Sequence, residues 1–365
     1  MNTPELFFLG LVIFWLVLYL IKNKLERRGF QIYPFLLLWK KGTRSEWFPN
    51  IANKRYYKIF EKIALILGLV SMVGGISLVV YVFLNLINAY FISPSQVTQS
   101  QVPRLTPIIP GITIGINQVP WLLLAIGISV TLHELAHAIS ATSNKIKVKG
   151  GGILLLLFFP GAFVEPDEDE FMGSPISAKL KVISAGIAVN LILAGIVFPF
   201  VFYLPPLISQ GLQIVAEVPH YPAYNSSIPV NSVILAVNGH KVNTPDQFSY
   251  YLSQSTHVNI TLLLPNGSVI IKTLNTTPDH KIGVYITYDY PPILYAILDF
   301  AYWMFTINFS LALLNGAPLI ITDGGKIFTE LIKKVGLSEN VSYVIQGLLV
   351  VVLIGAIVLS LSPPQ

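Results

Sequence analysis

Long apolar stretches separated by polar segments dominate this 365-residue chain. A helix needs about 20 consecutive apolar residues to cross the hydrocarbon of a bilayer. Six stretches approach or exceed that length, and we expect each of them to form a membrane-spanning helix. They cover Leu6–Ile21, Ile63–Ile92, Trp121–Ile139, Val182–Leu204, Ile293–Leu314 and Val341–Leu361. The pattern therefore predicts a polytopic α-helical membrane protein with about six transmembrane helices.

Residues 205–292 follow a different pattern, because apolar and polar residues alternate there with the period of a β-strand. Asn266-Gly267 between two such runs is typical of a hairpin turn, and Thr244-Pro245 is typical of a helix start. The predicted strands are Leu212–Val218, Val233–Val237, Asn259–Leu264, Val269–Thr273 and Ile282–Thr287. We expect a small α+β domain inserted between the fourth and fifth membrane spans.

Two shorter apolar runs lie outside these groups. The run between Gly150 and Glu165 is too short for a spanning helix and is bounded by Gly and Pro, which predicts a re-entrant strand or β-hairpin. Irregular backbone is tolerated at membrane depth only where it is buried in protein or lines a cavity. This hairpin could hold an extended substrate by strand addition, or it could be purely structural. The run Tyr33–Trp39 is predicted to lie in the membrane interface.

The composition agrees with a membrane protein, since 53% of residues are hydrophobic and 11% are charged. Soluble globular chains carry about 25% charged residues, so we do not expect an ordinary soluble enzyme. Cysteine is absent, which excludes disulfides, cysteine-ligated metal centres and thiol nucleophiles.

The formal net charge of +5 matters less than where the positive charges lie. Eleven Lys and Arg residues and only three Glu residues lie in residues 22–62, between the first two spans. The positive-inside rule places this segment in the cytoplasm. Counting spans from there predicts that residues 140–181 are also cytoplasmic and that residues 205–292 are external.

The third span contains the pattern His133-Glu134-x-x-His137. The i, i+4 spacing places both imidazoles on one helical face, where they can bind a single zinc ion. Glu134 could reach a water molecule at the metal and act as general base. Ionisable side chains near mid-membrane cost about 2.5–3.5 kcal/mol each on insertion scales, so a functional role is expected. The alternative is a hydrogen-bonded polar cluster that joins helices.

A catalytic zinc ion needs a third protein ligand, and the other four histidines all lie in the inserted segment. Two carboxylates lie near membrane depth, Asp299 and Asp323. The third and fifth spans run in the same direction, which places Asp323 at the same depth as His133 and His137. Asp323 is therefore the favoured third ligand. The alternative is that Asp323 only caps the short helix that follows it.

These motifs together resemble the site-2 protease family of intramembrane zinc metalloproteases. The resemblance rests on HExxH in a membrane span, on the later motif Asn315-x-x-Pro318-x(4)-Asp323-Gly-Gly, and on Gly186-x-x-x-Asn190. Thr322 stands where the family usually has Leu. The insert is similar to a PDZ domain in the order Pro222-Ala223, then Asn238-Gly239, then Asp246-Gln-Phe.

The resemblance implies residue roles. His133, His137 and Asp323 would bind one Zn²⁺ ion, and Glu134 would be the general base. Asn190 would hydrogen-bond the substrate backbone or the developing oxyanion, with an interhelical hydrogen bond as the alternative.

The predicted function is hydrolysis of peptide bonds within or next to the transmembrane segments of single-span membrane proteins. We expect a multi-pass protein of the cell membrane that is surrounded by the lipid bilayer and has its active site toward the cytoplasm. No nucleic-acid partner is expected, and the oligomeric state is left open. One alternative is a catalytically silent membrane adaptor that binds partners through the PDZ-like domain, and another is a metal-dependent transporter.

The predicted domain boundaries divide the chain into four parts. They are 1–118, an N-terminal region with two spans; 119–204, the first part of the metalloprotease core; 205–292, the PDZ-like domain; and 293–365, the second part of the core.

Overall fold

A computed structural model describes residues 3–92 and 102–362. The chain divides into two compact units. The first comprises Met1–Ile196 and Trp303–Gln365, and the second comprises Val197–Tyr302. The unit boundaries fall inside two long helices. The predicted limits of the insert, 205 and 292, lie within ten residues of these boundaries.

Long apolar helices account for most of the first unit. The helices with residues in this unit are α1 (Thr3–Leu20), α2 (Lys22–Glu26), α3 (Pro49–Ala52), α4 (Arg55–Ile87), α5 (Val119–Ser143), α6 (Glu168–Gly173), α7 (Ile176–Phe202), α11 (Pro292–Gly316), α12 (Asp323–Lys334) and α13 (Glu339–Leu361). A π-helical turn continues α4 to Ile92, and a 3₁₀ turn precedes α5.

Five helices are long and apolar enough to cross a membrane. They are Arg55–Ile92, Ile116–Ser143, Ile176–Ile208, Ile293–Gly316 and Glu339–Leu361. The first predicted span forms a shorter apolar helix over Glu5–Leu20. The chain is therefore a multi-pass membrane protein, and the count of six spans stays a prediction.

A four-stranded antiparallel sheet lies beside these helices. Its strands are β1 (Phe30–Tyr33), β2 (Leu36–Ser45), β3 (Val148–Leu156) and β4 (Phe159–Pro166), paired in that order. The predicted hairpin is thus β3–β4. The run Tyr33–Trp39 forms part of this sheet, where Leu36 to Gly42 pair with Leu156 to Gly150. Its location in the membrane interface stays a prediction. Trp15 of α1 donates from its indole N–H to the Leu157 carbonyl at 2.8 Å, which ties α1 to the tip of the β3–β4 hairpin.

Small and polar residues set how closely the spanning helices pack, as is usual in membranes. Gly75 of α4 lies against the Leu313 carbonyl of α11, so closely that no Cβ could fit there. The fully buried Asn308 of α11 donates to Ser129 Oγ of α5 at 2.8 Å. The cytoplasmic end of α5, as assigned by the charge pattern, contacts α4 as well. There Glu61 accepts from Ser140 Oγ at 3.0 Å.

The second unit contains a sheet in the order β10-β5-β6-β8-β9, with β7 paired to β6. The strands are β5 (Gly211–Glu217), β6 (Val233–Val237), β7 (His240–Lys241), β8 (His257–Leu263), β9 (Val269–Asn275) and β10 (Val284–Asp289). Three short helices accompany them, namely α8 (Leu204–Ile208), α9 (Pro222–Asn225) and α10 (Pro245–Ser253). Alternating strand residues and Phe248 and Leu252 of α10 form the core. The unit is thus α+β as predicted, and its likeness to a PDZ domain stays a prediction.

Candidate metal centre

The HExxH sequence of α5 places two imidazole rings against each other on one helical face. His133 and His137 are one helical turn apart, and their Nε2 atoms are separated by 3.0 Å. Both residues are buried, with 6% and 9% of their surface exposed. Two imidazole nitrogens that face each other at this distance are suited to bind a single metal ion.

The carboxylate of Asp323 completes a triangle with these two nitrogens. Its Oδ2 atom lies 3.1 Å from His133 Nε2 and 3.0 Å from His137 Nε2. Among the described residues, this is the group of three or more His, Asp or Glu side chains that could hold a metal ion. The structure brings Asp323 to the histidines, and Asp299 does not belong to the cluster.

This triangle fits a zinc ion. Bonds of 2.0–2.1 Å to a tetrahedral zinc place its ligand atoms about 3.3 Å apart, close to the separations seen here. Two neutral imidazoles and one carboxylate are also a donor set that leaves a fourth position open, as catalytic zinc requires.

Gly186 of α7 lies directly against the two imidazoles. A Cβ atom at this position would collide with the Nε2 atoms of both His133 and His137. The glycine of the Gly-x-x-x-Asn motif therefore keeps the metal-facing side of the two rings clear, a role that the sequence motif did not reveal.

Polar groups contact the far side of each imidazole. The His137 Nδ1 atom lies 2.7 Å from the Val182 carbonyl oxygen, and the His133 Nδ1 atom lies 3.0 Å from the Asn190 amide. Asn190 is fully buried. Its predicted role toward the substrate or oxyanion stays a prediction, since the contact seen is with a ligand ring.

Asp323 is held by its neighbours along the chain. Thr322, and not Asp323, is the N-cap of α12, because its hydroxyl accepts from the Gly325 N–H at 3.1 Å. Asp323 is therefore not needed as the cap and can direct Oδ2 toward the histidines. Its other oxygen, Oδ1, lies 3.0 Å from Lys326 Nζ.

Asn315 of α11 forms two hydrogen bonds with Asp323. Its amide Nδ2 donates to Asp323 Oδ2 at 3.0 Å, and its Oδ1 accepts from the Asp323 N–H at 3.1 Å. The Asn315 amide also lies 3.3 Å from His133 Nε2, which places it beside the metal position. In the sequence, Asn315 stands out only as part of the motif that contains Asp323, and no contact is predicted for it. The motif spacing is the sequence feature that could have pointed to this contact.

Glu134 points toward strand β4. Its Oε2 atom accepts from the backbone N–H of Val164 at 3.0 Å. Glu134, His137, Val164, Val182 and Asp323 all line one partly open cavity of about 570 Å³. The candidate general base, two of the metal ligands and the edge of β4 therefore face the same space.

Comparisons with known proteins agree with this geometry. The model of Peptidase family M50 matches residues 121–356, well over half of the chain. An "Uncharacterized protein" of Methanocaldococcus jannaschii is 27% identical over 343 residues, which cover 92% of this chain and 88% of that protein.

Two relatives with more informative names match shorter segments. A "Membrane-bound transcription factor site-2 protease homolog" of Arabidopsis thaliana is 26% identical over 38% of this chain and 28% of its own length. A "Putative zinc metalloprotease" of Clostridium acetobutylicum is 27% identical over 41% of this chain and 51% of its own length. The chain thus spans about a quarter and about half of these two relatives. The match over residues 121–356, which contain the His133–His137–Asp323 cluster, shows that this chain is a membrane zinc metalloprotease of Peptidase family M50, the site-2 protease family.

Proposed function

We propose that the protein is an intramembrane endopeptidase that cleaves single-span membrane proteins within or next to their transmembrane segments. The observation that carries this proposal is that His133 and His137 lie on α5, an apolar helix long enough to cross a bilayer, and that Asp323 at the start of α12 completes their cluster. A site at that depth is suited to peptide bonds that lie in or near the membrane.

His133, His137 and Asp323 would hold one zinc ion. When bound, zinc acts as a Lewis acid that polarises the scissile carbonyl and acidifies water. Glu134 takes a proton from the attacking water and later gives it to the leaving amine. Asn315, whose amide lies beside His133 Nε2 and Asp323 Oδ2, is placed to donate to the oxygen on which negative charge develops.

The substrate would bind in an extended form along β4. This strand pairs with β3 on one side, and it is an edge strand among the strands that the structure describes. The Val164 N–H points away from β3 toward Glu134. Backbone groups alternate along a strand, so Ala162, Pro160 and Pro166 share this orientation.

Because proline has no N–H, the N–H groups on this edge belong to Ala162 and Val164, and that of Val164 already donates to Glu134. Strand addition would thus be confined to a short segment beside Glu134 and the metal ligands. Pairing as a strand would also expose peptide bonds that a helical substrate hides.

The basic segment between α1 and α4 supports an active site toward the cytoplasm and an external second unit. An external domain could admit substrates only after their ectodomains have been shortened. The adaptor alternative is not favoured, because a silent binding protein would have no need for Glu134 in the metal cavity.

The test is cleavage of single-span substrates by the detergent-purified protein. We expect cleavage that a zinc chelator stops and that zinc restores. Glu134→Gln should abolish cleavage and still bind zinc. Glu61→Gln is the control, since Glu61 is a glutamate of another spanning helix that contacts Ser140 and Asn144. Cleavage that persists in Glu134→Gln, or in the chelated protein, would contradict the proposal.

A further inference from the structure

The two metal-binding imidazoles need partners for their second nitrogens. A neutral imidazole that binds metal through Nε2 carries its proton on Nδ1, and this N–H requires a hydrogen-bond acceptor when it is buried. For His137 the acceptor is evident, since the Val182 carbonyl oxygen lies 2.7 Å from Nδ1. In the described part of the chain, no backbone carbonyl accepts a hydrogen bond from His133 Nδ1.

The group that faces His133 Nδ1 is the side-chain amide of Asn190. The amide nitrogen is placed 3.0 Å from Nδ1, and the amide oxygen, also buried, has no hydrogen-bond partner among the described residues. The nitrogen and oxygen of an amide exchange places by a half-turn that leaves its shape unchanged. After that half-turn the oxygen accepts from the His133 Nδ1–H.

We infer that Asn190 is a positioning residue for the first metal ligand. Its carbonyl oxygen accepts from His133 Nδ1–H, which leaves Nε2 unprotonated and holds the ring in the orientation that faces the metal. This inference shares with the proposed function the assumption that the bound metal is zinc, and it does not depend on which substrate is cleaved. It differs from the role implied by the family resemblance, in which Asn190 contacts the substrate or the oxyanion.

The position of Asn190 supports this assignment. Nδ1 and Nε2 lie at different edges of the imidazole ring, so Asn190 approaches His133 from the side away from Asp323. Asn190 is also four residues after Gly186, one helical turn along α7. Within the Gly-x-x-x-Asn motif, Gly186 thus leaves space beside the Nε2 atoms of both rings, and Asn190 provides the acceptor for Nδ1 of His133.

The test is the zinc affinity of the full-length protein in detergent, measured by competition with a chromophoric chelator. Asn190→Leu removes the acceptor and keeps the size of the side chain. Loss of an outer hydrogen bond to a metal ligand weakens metal affinity about 10- to 100-fold, and we expect a loss in that range. Asn190→Asp retains an acceptor and should bind zinc at least as tightly as the wild-type protein.

Asn308→Leu is the matched control. Asn308 is an equally buried amide of a spanning helix, but its hydrogen bonds go to Ser129 and Met304. Its zinc affinity should stay near that of the wild-type protein. Asn190→Ala replaces Asn190→Leu if the latter does not elute as a single species from a sizing column.

A cobalt(II)-loaded sample adds a readout that a general loss of stability would not imitate. We expect the visible spectrum to change in Asn190→Leu and to be retained in Asn308→Leu. Wild-type zinc affinity in Asn190→Leu or Asn190→Ala would overturn the inference. Equal losses in the Asn190 and Asn308 variants would also overturn it. A wild-type protein that binds zinc but cleaves no substrate would instead contradict the proposed function.

Discussion

At the residue scale, Gly186 keeps the space beside the Nε2 atoms of His133 and His137 open. Gly186→Ala places a methyl group against the Nε2 atoms of His133 and His137, and we expect the purified protein to lose most of its bound zinc. Gly195→Ala on the same helix is the control, because nothing lies within 4 Å of a Cβ there. Elemental analysis of both variants measures the effect. Full zinc occupancy in Gly186→Ala would show that the metal lies elsewhere.

Thr322 departs from the family motif but has a clear structural role. Its hydroxyl caps α12 and also donates to the Ala317 carbonyl at 2.6 Å. Replacing an N-cap Thr by Ala costs about 0.5–2 kcal/mol, so Thr322→Ala should lower the unfolding temperature and loosen Asp323. Thr322→Ser should retain both properties. Thermal unfolding of the zinc-free protein tests this, and identical curves for all three proteins would refute it.

Part of the site can be predicted from residue spacing, and part cannot. His133, Glu134 and His137 follow from helical periodicity, and Asp323 follows from its depth along a parallel span. Whether Asp323 would cap its own helix could not be decided from sequence, because Thr322 and Asp323 are both good N-cap residues. The contacts of Gly186 and Asn190 depend on how closely α7 approaches α5, which no local pattern encodes.

At the element scale, a buried ion pair joins α7 to α12, the helix that begins with Asp323. Lys179 Nζ lies 3.5 Å from Glu330 Oε2, and the two side chains are 11% and 12% exposed. Removing one partner of a buried pair costs about 3–5 kcal/mol when the other charge is left uncompensated. Here Lys333 Nζ stays 3.9 Å from Glu330 Oε1, so we expect a smaller but clear cost. Lys179→Met should therefore lower the unfolding free energy, and adding Glu330→Met should recover much of the loss.

The exposed pair Lys22–Glu26 provides the comparison, since its side chains are 38% and 43% exposed. Surface pairs contribute about 0–1 kcal/mol, so Lys22→Met should change little. Denaturant unfolding measures all of these variants. Equal effects of Lys179→Met and Lys22→Met would mean that the pair does not anchor α12.

The helices and the strands of the second unit are predictable from periodicity, whereas the pairing of β2 with β3 is not. The apolar pattern of Tyr33–Trp39 does not indicate a partner, and β2 pairs with β3, more than 100 residues away. The glycines at 150–152 let the backbone of β2 approach closely, since a Cβ at Gly152 would collide with the Trp39 carbonyl. Such non-local pairing depends on the tertiary fold.

At the scale of the whole molecule, the proposed sidedness can be measured because the chain has no cysteine. Single cysteines can be introduced into exposed positions and labelled in intact cells with a membrane-impermeant maleimide. We expect Lys281→Cys in the second unit to react directly. Lys41→Cys, on strand β2, should react only after the cells are permeabilised. The reverse pattern would place the active site on the external side.

The central claim is that one zinc ion lies between His133, His137 and Asp323. The most direct measurement is an anomalous difference map from crystals of the purified protein, recorded on both sides of the zinc absorption edge. The account predicts one peak per chain, about 2.0–2.1 Å from each of the three ligand atoms. A catalytically active preparation with no peak there, or with its zinc bound by other side chains, would contradict it.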